Sequence, residues 1–169
     1  LVEYGSDSIN VVYGNTDDDS GISLTNRNPA DNAEIHLTVT DPALNIDPTT
    51  ADVWEMSLAS TAASPAVALI TNGTGNGALT AQEIGQHDCV DNCRLSSDST
   101  TGLIAGAYAL TAVTLTETGA STDVFESFDA NGVASFKTKD QVAADGQIVY
   151  SYGGNTVDQI ITYTDATIS

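Results

Sequence analysis

This sequence predicts an all-β fold, an immunoglobulin-like antiparallel β-sandwich, on three observations. Apolar residues recur at every second position in short runs, the period of a strand with one buried face. No run longer than about ten residues keeps the 3.6-residue period of an amphipathic helix. Clusters of Gly, Asn, Asp and Pro separate the runs into about ten to twelve short strands, the pattern of a sandwich rather than of alternating strands and helices.

The pivotal unit spans residues 34–54. In 34–40, Ile35, Leu37 and Val39 point one way, and Glu34, His36, Thr38 and Thr40 the other. Asp41-Pro42 stops that strand, because proline donates nothing to a ladder and restrains the residue before it. Leu44 and Ile46 then dip towards the core as a short apolar finger. Asp47-Pro48 turns the chain again, and Trp54 opens the next strand, 53–58.

Before this unit, a turn at Tyr4-Gly5-Ser6-Asp7 leads into a strand at 8–13. A loop at 14–21 carries Asp17-Asp18-Asp19, and a short strand follows at 22–25. Residues 26–32 form a loop in which Asn28-Pro29 is the turn signal. After the unit, the apolar run 65–70 is short enough for a buried strand. Residues 71–101 differ: they hold four glycines, both cysteines and His87, and read as a long inserted loop. Thr80 with Glu83 has a capping-box order, room for one helical turn. Loops of this length inside a domain usually have a job.

Strands resume at 103–110 and 112–117. Runs at 124–128 and 133–136 flank Asp129-Ala130-Asn131-Gly132, a strong hairpin cue because Asn and Gly tolerate positive φ. A last pair, 147–152 and 157–164, surrounds Gly153-Gly154-Asn155. The 169 residues, 41% apolar, suit one domain with a real core, residues 1–169 with 71–101 inserted.

Charge narrows the function. Against 23 acids stand only Arg27, Arg94, Lys137 and Lys139, a formal charge of −19. Such a surface repels phosphate backbones and anionic lipids, so nucleic acid and membrane surfaces are not the expected partners. It favours solubility and the capture of small cations. No apolar run approaches the roughly 20 residues of a membrane helix. The chain begins at Leu1, and its only methionine is Met56, so we expect a processed product or an excised piece.

Two groups of acids have the chemistry for calcium or another divalent cation. Asp17, Asp18 and Asp19 offer carboxylate oxygens from one loop; the alternative is a solvated acidic loop. Asp41, Asn45, Asp47 and Asp52 lie on the two turns of the pivotal unit, where Asx-type capping is the competing role. Cys89 and Cys93 enclose three residues. In an oxidising compartment they would close a small disulfide loop worth roughly 2 kcal/mol. A metal site with His87 and two free thiols are the alternatives. Asn72-Gly73-Thr74 is the one glycosylation sequon.

Catalysis finds little support. The two histidines, His36 and His87, stand in no recognised catalytic motif, and no nucleophile elbow or phosphate-cradling glycine loop occurs. With so many carboxylates, pairs suited to glycoside cleavage arise by chance.

Three segments carry a resemblance: 32–52 (Asn-Ala-Glu-Ile-His-Leu-Thr-Val-Thr-Asp-Pro-Ala-Leu-Asn-Ile-Asp-Pro-Thr-Thr-Ala-Asp), 113–126 (Val-Thr-Leu-Thr-Glu-Thr-Gly-Ala-Ser-Thr-Asp-Val-Phe-Glu) and, more weakly, 5–14. Together they resemble the repeated immunoglobulin-like domains of surface-layer proteins from ammonia-oxidising archaea. The resemblance implies a secreted, often glycosylated lattice protein that is acidic, commonly cation-dependent and not an enzyme. The family's chains are long and multi-domain, whereas this one has the length of one domain, and the 71–101 segment has no place in the family pattern.

The expected function is therefore that of a structural subunit of an extracellular layer or filament on an archaeal-type cell surface. Its partners would be copies of itself and small cations that screen repulsion between them. The strands expected to complete a neighbour's sheet are those of Ile9, Val11 and Tyr13 and of Val157, Ile160 and Tyr163. The alternative is a calcium-dependent adhesin or carbohydrate-binding module.

Overall fold

Ile35, Leu37 and Val39 are fully buried, as their alternation requires, and two sheets close around them. The structure is a computed structural model that describes residues 2–9, 19–60, 95–97, 104, 112–140 and 145–162. Among these the strands are β1 (Val2–Tyr4), β2 (Asp7–Ile9), β3 (Gly21–Leu24), β4 (Leu37–Thr40), β5 (Val53–Ser57), β6 (Ala59–Ser60), β7 (Ser96–Ser97), β8 (Ala112–Glu117), β9 (Val124–Glu126), β10 (Gly146–Tyr152) and β11 (Asn155–Ile161).

The first sheet runs β3-β4-β9-β8-β5 and is antiparallel throughout. The second runs β11-β10-β7-β6. One apolar core joins them: Leu37, Val39, Trp54, Met56, Val113, Leu115 and Phe125 from the first face Ile148, Tyr150, Val157 and Ile161 from the second. The predicted all-β sandwich is the observed one, with one departure from antiparallel pairing. β6 pairs β7 in parallel. Only Leu58, itself buried, separates β5 from β6, so the chain passes from one sheet to the other without reversing.

Within the 71–101 segment, Ser96 and Ser97 form a strand. Leu95 enters the core, and Ser96 and Ser97 lie between β10 and β6, both buried. A strand of two buried serines gives hydropathy nothing to read. The apolar finger is also only half as expected. Leu44 is buried and its carbonyl accepts the Trp54 indole N–H at 2.9 Å, but Ile46 is 40% exposed. The Asp52 carboxylate accepts the N–H groups of Ile46 and Asp47, holding the backbone inward and leaving the Ile46 side chain outside.

Two tight turns follow their cues. Gly153 and Gly154 both take positive φ (54° and 74°) and join β10 to β11 as a two-residue turn matched to the twist of the strands. In the 129–132 turn only Gly132 is positive (φ 79°); Asn131 is not, and the Asp129 carboxylate fixes the turn by accepting the N–H groups of Asn131 and Val133.

β11 is paired on both sides at its end. β10 takes its inner edge, while Ile160 N–H donates to the Arg27 carbonyl and Thr162 N–H to the Pro29 carbonyl. Gln159 adds its side-chain N–H to the Asn26 carbonyl. This zip to the 26–29 loop uses backbone groups at the edge near Ile160 within the chain; Val157 is buried, and the Ile160 side chain is 47% exposed. The β1–β2 hairpin is the opposite case: every residue of both strands is exposed. Val11, Tyr13 and Tyr163 lie outside the described residues, as do the 65–70 strand and the capping-box turn at Thr80.

Candidate functional site

β4, β8 and β10 each carry their inward alternation one step beyond the apolar residues, and each ends on a polar group. Leu37, Val39 and Asp41 share one register; so do Val113, Leu115 and Glu117, and Ile148, Tyr150 and Tyr152. Asp41, Glu117 and Tyr152 are therefore buried at one end of the sandwich, where Asp52 joins them from the chain entering β5.

Each carboxylate holds backbone. Asp41 caps the 3₁₀ turn Pro42–Leu44 by accepting Ala43 N–H at 2.8 Å, and its second oxygen accepts the Tyr152 hydroxyl at 2.6 Å. Burial first, then the Asp41 charge and this hydrogen bond, hold the Tyr152 phenol well above its ordinary pKa. Glu117 accepts three backbone N–H groups: Asp52 on one oxygen, Thr122 and Asp123 on the other. That clamp holds Ser121 and Asp123 in left-handed conformations, φ 59° and 58°. Asn45 crosses the corner, its amide donating to Asp123 at 2.8 Å and to Ser121 at 3.3 Å, while its own carbonyl oxygen is buried without a hydrogen-bond partner among the described residues. Asp47, at the surface, accepts the Thr49 hydroxyl and N–H; these hydrogen bonds hold its carboxyl below the ordinary value.

The fold thus brings Asp41, Asn45, Asp47 and Asp52 to the same end, as their sequence spacing suggests, and uses their oxygens on turn amides. Among the described residues no group of three His, Cys, Asp or Glu side chains is assembled as a metal site. Asp19 is exposed beside this end: Ser20 bonds the Gly153 carbonyl, and Asn155 bonds Ser20. Asp17, Asp18, Asn72, Cys89 and Cys93 lie outside the described residues. Glu117, Asp123 and Tyr152 are the members of the corner that hydropathy alone passes over, although a carboxylate in the inward register of Val113 and Leu115 is a readable signal.

At the opposite end His36 is half-buried, stacked on Phe128 at 4.5 Å between ring centroids and 3.3 Å from the Glu34 carboxylate. An open groove of about 160 Å³ runs beside it, lined by Thr114, Thr116, Phe128 and Val133 among others. Its only carboxylate, Asp129, is engaged by its own turn. Among the described residues no helix is long and apolar enough to cross a membrane. Comparison with protein-family models and with characterised proteins finds no match to this chain.

Proposed function

We propose that this protein is a structural subunit that self-assembles outside the cell, in a layer or filament on an archaeal-type surface, with cations screening repulsion between its acidic copies. The observation that supports this reading is the N-terminal hairpin. Its strands pair Val2 with Ile9 and Tyr4 with Asp7, which places Val2, Tyr4 and Ile9 on one face. Those three side chains are 56%, 90% and 67% exposed.

An isolated two-stranded hairpin is marginal in water, and this one leaves its apolar face uncovered. Burying each side chain against a neighbour would contribute about 1.5–3 kcal/mol. The outer edges of β1 and β2 supply main-chain donors and acceptors for a neighbouring sheet, the mode of strand addition. The immunoglobulin-like character, the surface-layer resemblance, calcium binding at the Asp41 end and a glycan on Asn72 belong to the same proposal.

Electron microscopy and sedimentation of the full chain, beside a variant lacking residues 1–9, test it. Ordered polymers from the full chain and monomers from the truncated one are expected. Polymers that persist without the hairpin refute its role, and dispersed monomers that bind glycans in a calcium-dependent way point to an adhesin instead.

A further inference from the structure

We propose that Asn131 is a latent deamidation site: the 129–132 turn holds the Asn131-Gly132 pair in check, and once Asp129 lets go the Gly132 amide closes on the Asn131 side chain and expels ammonia. This stands apart from the self-assembly reading and holds whether or not the chain polymerises.

Asparagine followed by glycine is the most reactive pairing for this chemistry, because glycine has no side chain to obstruct its own backbone nitrogen. The chain has three such pairs, at 72–73, 76–77 and 131–132. Asn131-Gly132 is the one among the described residues. Neither burial nor crowding shields it. Asn131 is exposed, and a Cβ added to Gly132 would meet no atom within 4 Å.

The reaction needs water and hydroxide and no other group of the protein. Gly132 N loses its proton to hydroxide and attacks Asn131 Cγ. The Cγ–Nδ2 bond breaks, and ammonia leaves with a proton taken from water. Water then opens the succinimide at either carbonyl, leaving aspartate or isoaspartate at 131. Nothing is oxidised or reduced.

Asp129 opposes this at each atom involved. Its carbonyl accepts Gly132 N–H at 2.9 Å, which occupies the nucleophile. One carboxylate oxygen accepts Asn131 N–H and Val133 N–H, both at 2.9 Å, and the second lies 3.5 Å from Nδ2, the leaving nitrogen. Asp129 N–H donates in turn to the Val133 carbonyl at 3.0 Å. To bring Gly132 N onto Cγ, the chain must rotate about the Asn131 Cα–C bond, and the hydrogen bonds that span the turn resist that rotation. Charge acts in the same sense. Val133 N–H foremost, with the Asn131 donors, holds the Asp129 carboxyl below its ordinary value. The carboxylate is therefore anionic in neutral and alkaline solution, and it disfavours a second anion at Gly132 N. Isoaspartate adds a methylene to the backbone of a turn whose flanks, Phe128 and Ala134, are bridged, so the product no longer fits the turn that protected its precursor.

Peptide mapping of the full chain in mildly alkaline buffer tests this, with isoaspartate and the accompanying mass gain read at each Asn-Gly pair. In urea all three pairs should react at similar rates, which gives the unprotected rate. In the folded chain Asn131 should react about tenfold or more slowly than in urea, the factor that goes with breaking one or two hydrogen bonds. Asp129→Ala, verified as folded by circular dichroism, should recover most of that factor at Asn131. Hydrogen exchange at Gly132 reads the same closure in the wild type, where it should be about tenfold or more slower than in the unfolded chain. Folded wild type that loses the Asn131 amide at the urea rate overturns the proposal, as does an Asn131 that keeps its amide even in urea. So does a folded Asp129→Ala chain with Asn131 as stable as in the wild type, or a Gly132 amide that exchanges unprotected. Should Asp129→Ala fail to fold, the wild-type rate ratio and the Gly132 exchange decide.

Discussion

Glu117 occupies the last position of β8, and the alternation that buries Val113 and Leu115 buries its carboxylate too. Three backbone N–H groups converge on that carboxylate. They tie the buried carboxylate to the partly exposed 121–123 turn, and the clamp fixes two residues in left-handed conformations. Glu117→Ala leaves these donors without acceptors and should cost about 3 kcal/mol or more in urea unfolding, while Glu3→Gln on the exposed hairpin should stay within about 0.5 kcal/mol. Tyr152 sets an alkaline limit. Its phenol is held above the ordinary 10.0 in the folded chain, so the neutral form is the one folding favours. Its contribution is complete below the unfolded value and is lost as pH rises through the folded one. Tyr152→Phe removes the hydrogen bond to Asp41 and should cost about 1–2 kcal/mol at neutral pH, and that deficit should shrink above about pH 10. A deficit constant to pH 11 by chemical denaturation would show that the Tyr152 hydroxyl does not titrate in this way.

At the scale of elements, the sequence is legible where one face is apolar and the other polar. The alternation of 34–40, 112–117 and 147–152 yields strands at or near those bounds, and Gly153-Gly154 announces its hairpin. The Asp-Pro turns are legible as well, because aspartate before proline caps its own turn. What is not legible has a common cause: polar residues facing inward. β7 is made of two buried serines, and the Asp41 corner is a layer of carboxylates and a phenol in apolar register. β1 fails for the converse reason, its apolar residues lying outside where no face is buried. The turns also give a clean contrast between glycines. Gly154 has φ 74° with no atom within 4 Å of an added Cβ, so Gly154→Ala meets backbone strain alone. It should cost about 1 kcal/mol, a fall of about 2–4 °C in melting temperature. Gly21, in β3 without positive φ, meets only Thr40 at 3.8 Å, and Gly21→Ala should melt at or slightly above the wild type.

For the whole molecule, a net charge of −19 on 169 residues sets a long-range repulsion between copies against any short-range contact. Repulsion between copies is long-ranged and acts through all the acids. It is strong at about 10 mM salt, where the Debye length is about 30 Å, and weak at about 150 mM, where it is about 8 Å. The proposed attraction is short-ranged, the burial of Val2, Tyr4 and Ile9 and the strand pairing of the hairpin against a neighbour. Polymer yield should therefore rise with sodium chloride and level off once the repulsion is screened. Calcium chloride at matched ionic strength separates screening from binding. Equal yields at equal ionic strength mean that divalent ions only screen, and a higher yield or melting temperature with calcium means that carboxylates on the subunit hold it directly. Sedimentation across the salt series, with and without calcium, reads both terms in one experiment, and a yield that falls from the lowest salt onward would contradict the repulsion on which the reading of this acidic surface depends.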